Sequence, residues 1–109
     1  MANDISIHYT SRYKGRDYPF HFHLVNYEGD YWRAYIVDQP GYGRRSESFV
    51  MTHRLSDARG RYICWNRPLK YNELKQVISV WCNCTVYYIN HGGDFQEIAN
   101  RLTQPRRRT

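Results

Sequence analysis

Leu74, Val77, Ile78, Trp81, Thr85, Tyr88 and Ile89 recur at spacings of three, four and seven, the period of one apolar stripe on an α-helix. The stripe predicts a helix from about Tyr71 to Asn90. A helix of that length is a rod of about 30 Å, long enough to cross a whole small sheet. Asn72 is the expected cap at its start. Gly92 and Gly93 end it, because glycine accepts the left-handed conformation of a helix C-cap. A second helix starts at Asp94. Asp94 and Glu97 have the spacing of a capping box, and Phe95, Ile98, Ala99 and Leu102 form a shorter apolar stripe. Pro105 and the run Arg106-Arg107-Arg108 then leave the fold.

The residues before the long helix read as strands. Ile5, Ile7 and Tyr9 alternate with Ser6 and His8. Ser11 to Asp17 is polar and reads as a turn around Gly15. From Tyr18 to Tyr27 the alternation places Phe20, Phe22 and Leu24 on one face and His21, His23 and Val25 on the other. Glu28-Gly29-Asp30 is a hairpin loop. The return strand, Tyr31 to Val37, carries Trp32, Ala34 and Ile36 on one face and Tyr31, Arg33 and Tyr35 on the other. Asp38 to Ser46, with Pro40, Gly41 and Gly43, is a loop. Ser48 to Arg54 is β-prone, Asp57-Ala58-Arg59-Gly60 is a turn, Arg61 to Asn66 is a fifth strand, and Pro68 closes the strand region. Strands followed by helices imply an α+β fold. The expectation is an antiparallel sheet of about five strands, a β-meander, with the long C-terminal helix packed on one face and a short final helix. Residues 1–104 form the single domain and 105–109 a basic tail.

The charge is unevenly placed. Thirteen of the sixteen basic residues are Arg, set among eleven Tyr and three Trp. Arg, unlike Lys, is a planar fork that matches phosphate or carboxylate and stacks on aromatic faces. Residues 44–70 hold seven basic groups against two acidic ones, and the tail adds three more, so all of the net +6 lies there and the rest of the chain is slightly acidic. A local field of that kind steers polyanions. Disordered chains are poor in aromatics, and this one is 17% aromatic. Three cysteines cannot all pair within the chain, which suits reduced thiols in a cytoplasmic protein. No opening segment resembles a signal peptide and no apolar run approaches a membrane span. Small size and basicity fit a phage or other mobile element.

The strongest candidate site is Tyr42, Arg44 and Arg45 of a Gly-rich loop, followed by Arg54, Arg59, Arg61 and Arg67. The loop lets Arg44 and Arg45 reach phosphates and Tyr42 stack on a base. Strands paired around residues 57–60 bring Arg54 near Arg61 with Arg59 at the tip, an Arg-rich hairpin of the kind that enters a DNA groove. The rival, blander reading is a solvated hairpin. A secondary partner surface comprises Tyr31, Arg33 and Tyr35 on the open sheet face, with Trp65 as an anchor. The Arg106–Arg108 arm adds salt-sensitive phosphate contacts.

Chemistry finds less support. His21 and His23 share one strand face, but no spacing supplies a third or fourth ligand. Cys82 and Cys84 point about 200° apart around a helix. Cys64 beside Trp65 reads as buried. No phosphate-loop or zinc motif is present, so no metal, cofactor or catalytic residue is expected. These features predict a small non-enzymatic binding protein that contacts nucleic acid or an acidic protein surface and no membrane. The alternative is a protein–protein module or an inhibitor of a nucleic-acid-handling enzyme.

Overall fold

The computed structural model describes residues 5–65 and 67–103. The Arg106–Arg108 arm and the expected strand end at Asn66 lie outside the described residues. Strands β1 (Ile5–Tyr13), β2 (Arg16–Glu28) and β3 (Tyr31–Asp38) form an antiparallel meander. A short helix, α1 (Phe49–Thr52), precedes a second hairpin, β4 (Arg54–Asp57) and β5 (Gly60–Ile63). β6 (Leu69–Lys70) leads directly into α2 (Tyr71–His91), and α3 (Phe95–Thr103) follows. The strand order is β1-β2-β3-β5-β4, with β6 paired to β3 beyond β5. The sheet is antiparallel, as expected, but the second hairpin docks through β5 and leaves β4 at the edge.

The polar stretch 11–17 is mostly strand rather than turn. The turn is only Lys14-Gly15, both with positive φ (51° and 78°), the backbone a two-residue hairpin loop requires. Ser11 belongs to β1 because α2 supplies its partner: its buried hydroxyl donates to Asn83 Oδ1 at 2.7 Å. A polar side chain can be buried without loss when the facing helix carries its hydrogen-bond partner.

α2 covers the face bearing Phe20, Phe22, Leu24 and Ala34. Trp81 is its centre. It is fully buried and meets Phe20 and Phe22 edge-on, each at 6.0 Å. Its indole N–H donates to the carbonyls of Thr52 (3.2 Å) and His53 (3.3 Å). That pair of bonds explains why Ser48 to Arg54 is not the strand its composition suggested. Ser48 caps α1, its hydroxyl accepting the Met51 N–H at 3.2 Å, and His53 ends it with φ 51°. Local capping and the Trp81 bonds outweigh strand propensity here.

The ends of α2 also differ from expectation. Lys70, not Asn72, is the N-cap, and the Glu73 carboxylate accepts its N–H at 3.0 Å. Pro68 does not close the strands: Leu69 and Lys70 pair with Trp32 and Tyr31. Gly92 ends α2, with φ 73° and ψ −162°, a region that is almost glycine-only. Asp94 caps α3 by accepting the Glu97 N–H at 3.0 Å. Phe95, Ile98 and Ala99 of α3 are buried, whereas Leu102 faces outward. The buried side of α2 is wider than one stripe and includes Cys82, Cys84 and Val86. Among the described residues, no helix is long and apolar enough to cross a membrane.

Candidate functional site

Three of the seven residues of the predicted Arg-rich site turn inward. Tyr42 is only 4% exposed and packs edge-on against Tyr88 at 6.0 Å, so its ring is committed to the core and cannot stack on a base. Arg54 is 5% exposed. Its Nε donates to Thr52 Oγ1 (2.9 Å) and its Nη2 to the Glu47 carbonyl (2.8 Å), while its guanidinium lies 5.0 Å from the Tyr42 ring. Arg45 reaches the end of α2, where its Nε and Nη2 donate to the carbonyls of Ile89 (3.2 Å) and Asn90 (3.0 Å). The last carbonyls of a helix lack intrahelical donors and carry partial negative charge, and a guanidinium satisfies both. A Cβ on Gly92 would stand 3.0 Å from Arg45 Nη1, so the glycine also admits this clasp.

The remaining arginines stay outside. Arg44, Arg59, Arg61 and Arg67 are exposed. Arg54 and Arg61 do line one cleft, of about 260 Å³, but Asp38 and Glu47 stand on the same wall. The expected hairpin forms, with Arg59 at its turn and Arg54 and Arg61 on one cleft, but Arg54 is buried, which leaves Arg59 and Arg61 as the exposed guanidiniums of the hairpin. Arg67 pairs with Glu73 at 3.1 Å.

The open face of the sheet is more organised than the sequence implied. Arg33 lies between the rings of Tyr27 and Tyr62, 4.3 Å from each centroid. Its Nη1 donates to Asp57 Oδ2 at 3.1 Å. The Tyr35 hydroxyl donates to the same oxygen at 2.5 Å, and Arg59 covers the Tyr35 ring at 5.9 Å. The Tyr35 hydrogen bond holds the Asp57 carboxyl below its ordinary 3.8. Burial, with Asp57 beside it, pushes the Tyr35 phenol up. The face thus bears a ladder of tyrosines and guanidiniums, Tyr27, Arg33, Tyr62, Tyr35 and Arg59, in which Tyr62 meets Tyr35 edge-on at 5.5 Å and Tyr35 itself is buried. A cleft of about 310 Å³ beside it is lined by His23, Tyr35, Arg59 and Arg61. Tyr31, at the strand end past the irregularity between Asn26 and Glu28, is exposed and outside the ladder. Trp65 is half-buried beside Cys64 and Arg67 in a cleft of about 330 Å³ that Tyr27, Arg33 and Tyr62 of the ladder also line.

Tyr27, Asp57 and Tyr62 were not anticipated as site residues. Tyr27 was legible, since it continues the alternation of His23 and Val25. Tyr62 was not, because its place follows from pairing with Tyr35, which needs the β3–β5 register.

His21 stacks on His8 at 4.1 Å and contacts Ser6 Oγ at 2.6 Å. Among the described residues no three His, Cys, Asp or Glu converge as metal ligands. Cys82 and Cys84 are buried free thiols. Burial pushes both up, Cys84 to about 12, so neither carries thiolate character near neutral pH. No family model matches this chain, and no curated protein or solved structure matches it either.

Proposed function

We propose that this protein binds nucleic acid on the open face of its sheet. One observation carries the reading: with α2 on one face, the other face presents the Tyr27–Arg33–Tyr62 stack, with Arg59 over Tyr35. Tyrosine and guanidinium planes are stacking platforms for bases, and arginine forks match phosphates. Arg44, Arg61 and Arg67, exposed at the margins, add charge that steers a polyanion. Arg45, Arg54 and Tyr42 hold the fold and leave the contact set. The free thiols suit a cytoplasmic setting.

Binding of this kind releases counterions, so affinity falls steeply as salt rises. Fluorescence anisotropy with a labelled single strand, a duplex and a structured RNA, each at low and near-physiological salt, tests the reading. Salt-sensitive binding that weakens in Arg59→Glu supports it. A folded protein that binds none of the three at low salt refutes it.

A second reading draws on α1, where Phe49, Val50 and Met51 are exposed, Val50 at 83%. Exposed neighbouring apolar side chains suit a protein partner, such as a nucleic-acid-handling enzyme inhibited by this chain. Val50→Asp separates the two readings: it leaves nucleic-acid binding intact and disrupts a protein complex.

A further inference from the structure

The strand pairing along one edge of β3 is interrupted between β5 and β6, and the interruption forms a slot. Trp32 pairs with Leu69 of β6 and Tyr35 pairs with Tyr62 of β5, while Arg33 and Ala34 between them have no strand partner on that edge among the described residues. β5 ends at Ile63 and β6 begins at Leu69. The resulting cleft measures about 330 Å³ and has an apolar floor of Ala34, Ile63, Leu69 and Leu74, the last contributed by α2. Trp32, Trp65, Tyr27 and Tyr62 give it aromatic walls. Its charged lining is Arg33 and Arg67, with no carboxylate among the described residues that line it, although each guanidinium pairs with a carboxylate beyond the lining, Asp57 and Glu73, at 3.1 Å.

We propose that this slot binds one nucleotide unit, the base among the aromatic walls and the phosphate at Arg33 and Arg67. Three observations converge on that ligand. The walls offer flat π-surfaces that match a base. Arg67, and the N–H groups of Arg33 other than the Nη1 held by Asp57, supply donors for a phosphate, the anion that guanidinium geometry suits. The volume lies at the low end for small-ligand sites, enough for one unit rather than a stack of several. Arg67 is available for exchange: its pair with Glu73 joins side chains 54% and 43% exposed, and such surface pairs contribute little. Of the other clefts, the one at Arg54 and Arg61 includes Asp38 and Glu47, and the one at Lys70 includes Asp30 and Glu73. The cleft at Arg59 and Arg61 has no carboxylate among its described lining residues either, but it offers one tyrosine and no tryptophan to a base.

The unit has two sources, a free mononucleotide or an unpaired nucleotide of a strand. The second rests on the nucleic-acid reading above. It adds a consequence: a base enters the slot only when unpaired, so a single strand is preferred over a duplex.

Cys64 reports on occupancy. It lines the slot and is half-buried, whereas Cys82 and Cys84 are buried. The full chain is treated with iodoacetamide and the modification of Cys64 followed by mass. Adenosine monophosphate, an oligothymidylate of about a dozen nucleotides and inorganic phosphate are added in separate arms. A bound unit should slow alkylation about tenfold at a concentration about ten times its Kd. Trp65→Ala should weaken that ligand roughly 5- to 100-fold, and Arg67→Ala, at an exposed position that leaves the fold intact, should weaken it as well. Protection by the mononucleotide or by the strand supports the slot and identifies the source. Equal protection by phosphate alone overturns it, because the base then plays no part. Protection by none of them, while anisotropy still shows strand binding, overturns the slot and leaves the nucleic-acid reading standing. Absence of both overturns the two together.

Discussion

Arg45 and Arg59 belong to the same basic stretch of sequence, and the fold treats them oppositely. In the segment from Gln39 to His53 the guanidinium of Arg45 is turned onto the chain itself, and Arg54 just beyond it does the same. On the open sheet face Arg59 and Arg33 lie against tyrosine rings. What separates the two regions is the supply of unsatisfied carbonyls. The end of α2 leaves Ile89 and Asn90 without donors, and the irregular chain at Glu47 leaves another, so Arg45 and Arg54 are drawn inward. In the β4–β5 hairpin the strands pair residue by residue, from Arg54 with Ile63 to Asp57 with Gly60. Beyond Arg54, the guanidiniums of that hairpin, Arg59 and Arg61, are exposed, and Arg59 has the Tyr35 ring as its partner. Charge density in a sequence therefore does not identify a contact surface until the backbone's own needs are met.

The sharpest way to break this contrast is Arg54→Ala. It removes a buried fork, orphans the Glu47 carbonyl and opens space beside Tyr42. The expected loss is about 2–4 kcal/mol, or roughly 10–25 °C in Tm, read by thermal unfolding. Arg45→Ala should cost about 1–2 kcal/mol, with fraying at the end of α2 visible in amide exchange. Arg45→Lys should recover only part, since one ammonium cannot span both carbonyls as the fork does. Arg59→Glu should change stability by less than about 0.5 kcal/mol while weakening nucleic-acid binding. A large stability loss there would erase the distinction between the regions.

Two smaller effects follow from titration. The folded Asp57 carboxyl lies below its ordinary 3.8, held there by Tyr35. Its contribution is complete above the unfolded value and is lost as pH falls through the lower folded one. Asp57→Asn should flatten the stability curve below about pH 4. His53, stacked on Phe95 at 4.5 Å, is held below its ordinary 6.5 by burial, with Asp94 opposing. The folded state favours neutral imidazole, so stability is full above pH 6.5 and declines as pH falls from there through the folded value. His53→Asn, which tolerates the positive φ, should remove that slope in a pH series of unfolding midpoints.

The elements legible in the sequence were those fixed by their own periodicity. The α2 stripe and the Phe20-Phe22-Leu24 face needed no tertiary knowledge. Residues 48–54 were misread because a serine cap and the indole of Trp81, distant in sequence, decide their conformation. β6 was hidden because two residues carry no period, and Pro68 before them looked like an end. The candidate site fared similarly. Arg33 and Tyr35 were placed on the open face by alternation alone. That Arg45 and Arg54 turn onto backbone carbonyls was not legible, because a sequence shows donors but not which carbonyls will lack them. Tyr62 and Asp57 joined the site only through strand register.

The central claim, that the open sheet face is the contact surface, is tested most directly by anisotropy of a labelled oligothymidylate at low salt. The parent, the double variant Arg59→Glu/Tyr62→Ala and the loop variant Arg44→Glu are compared, each first shown to be folded by its unfolding transition. The account predicts that the face variant loses binding while the loop variant keeps most of it. A face variant that binds like the parent, alongside a loop variant that does not bind, would contradict the account and return the site to the glycine-rich loop.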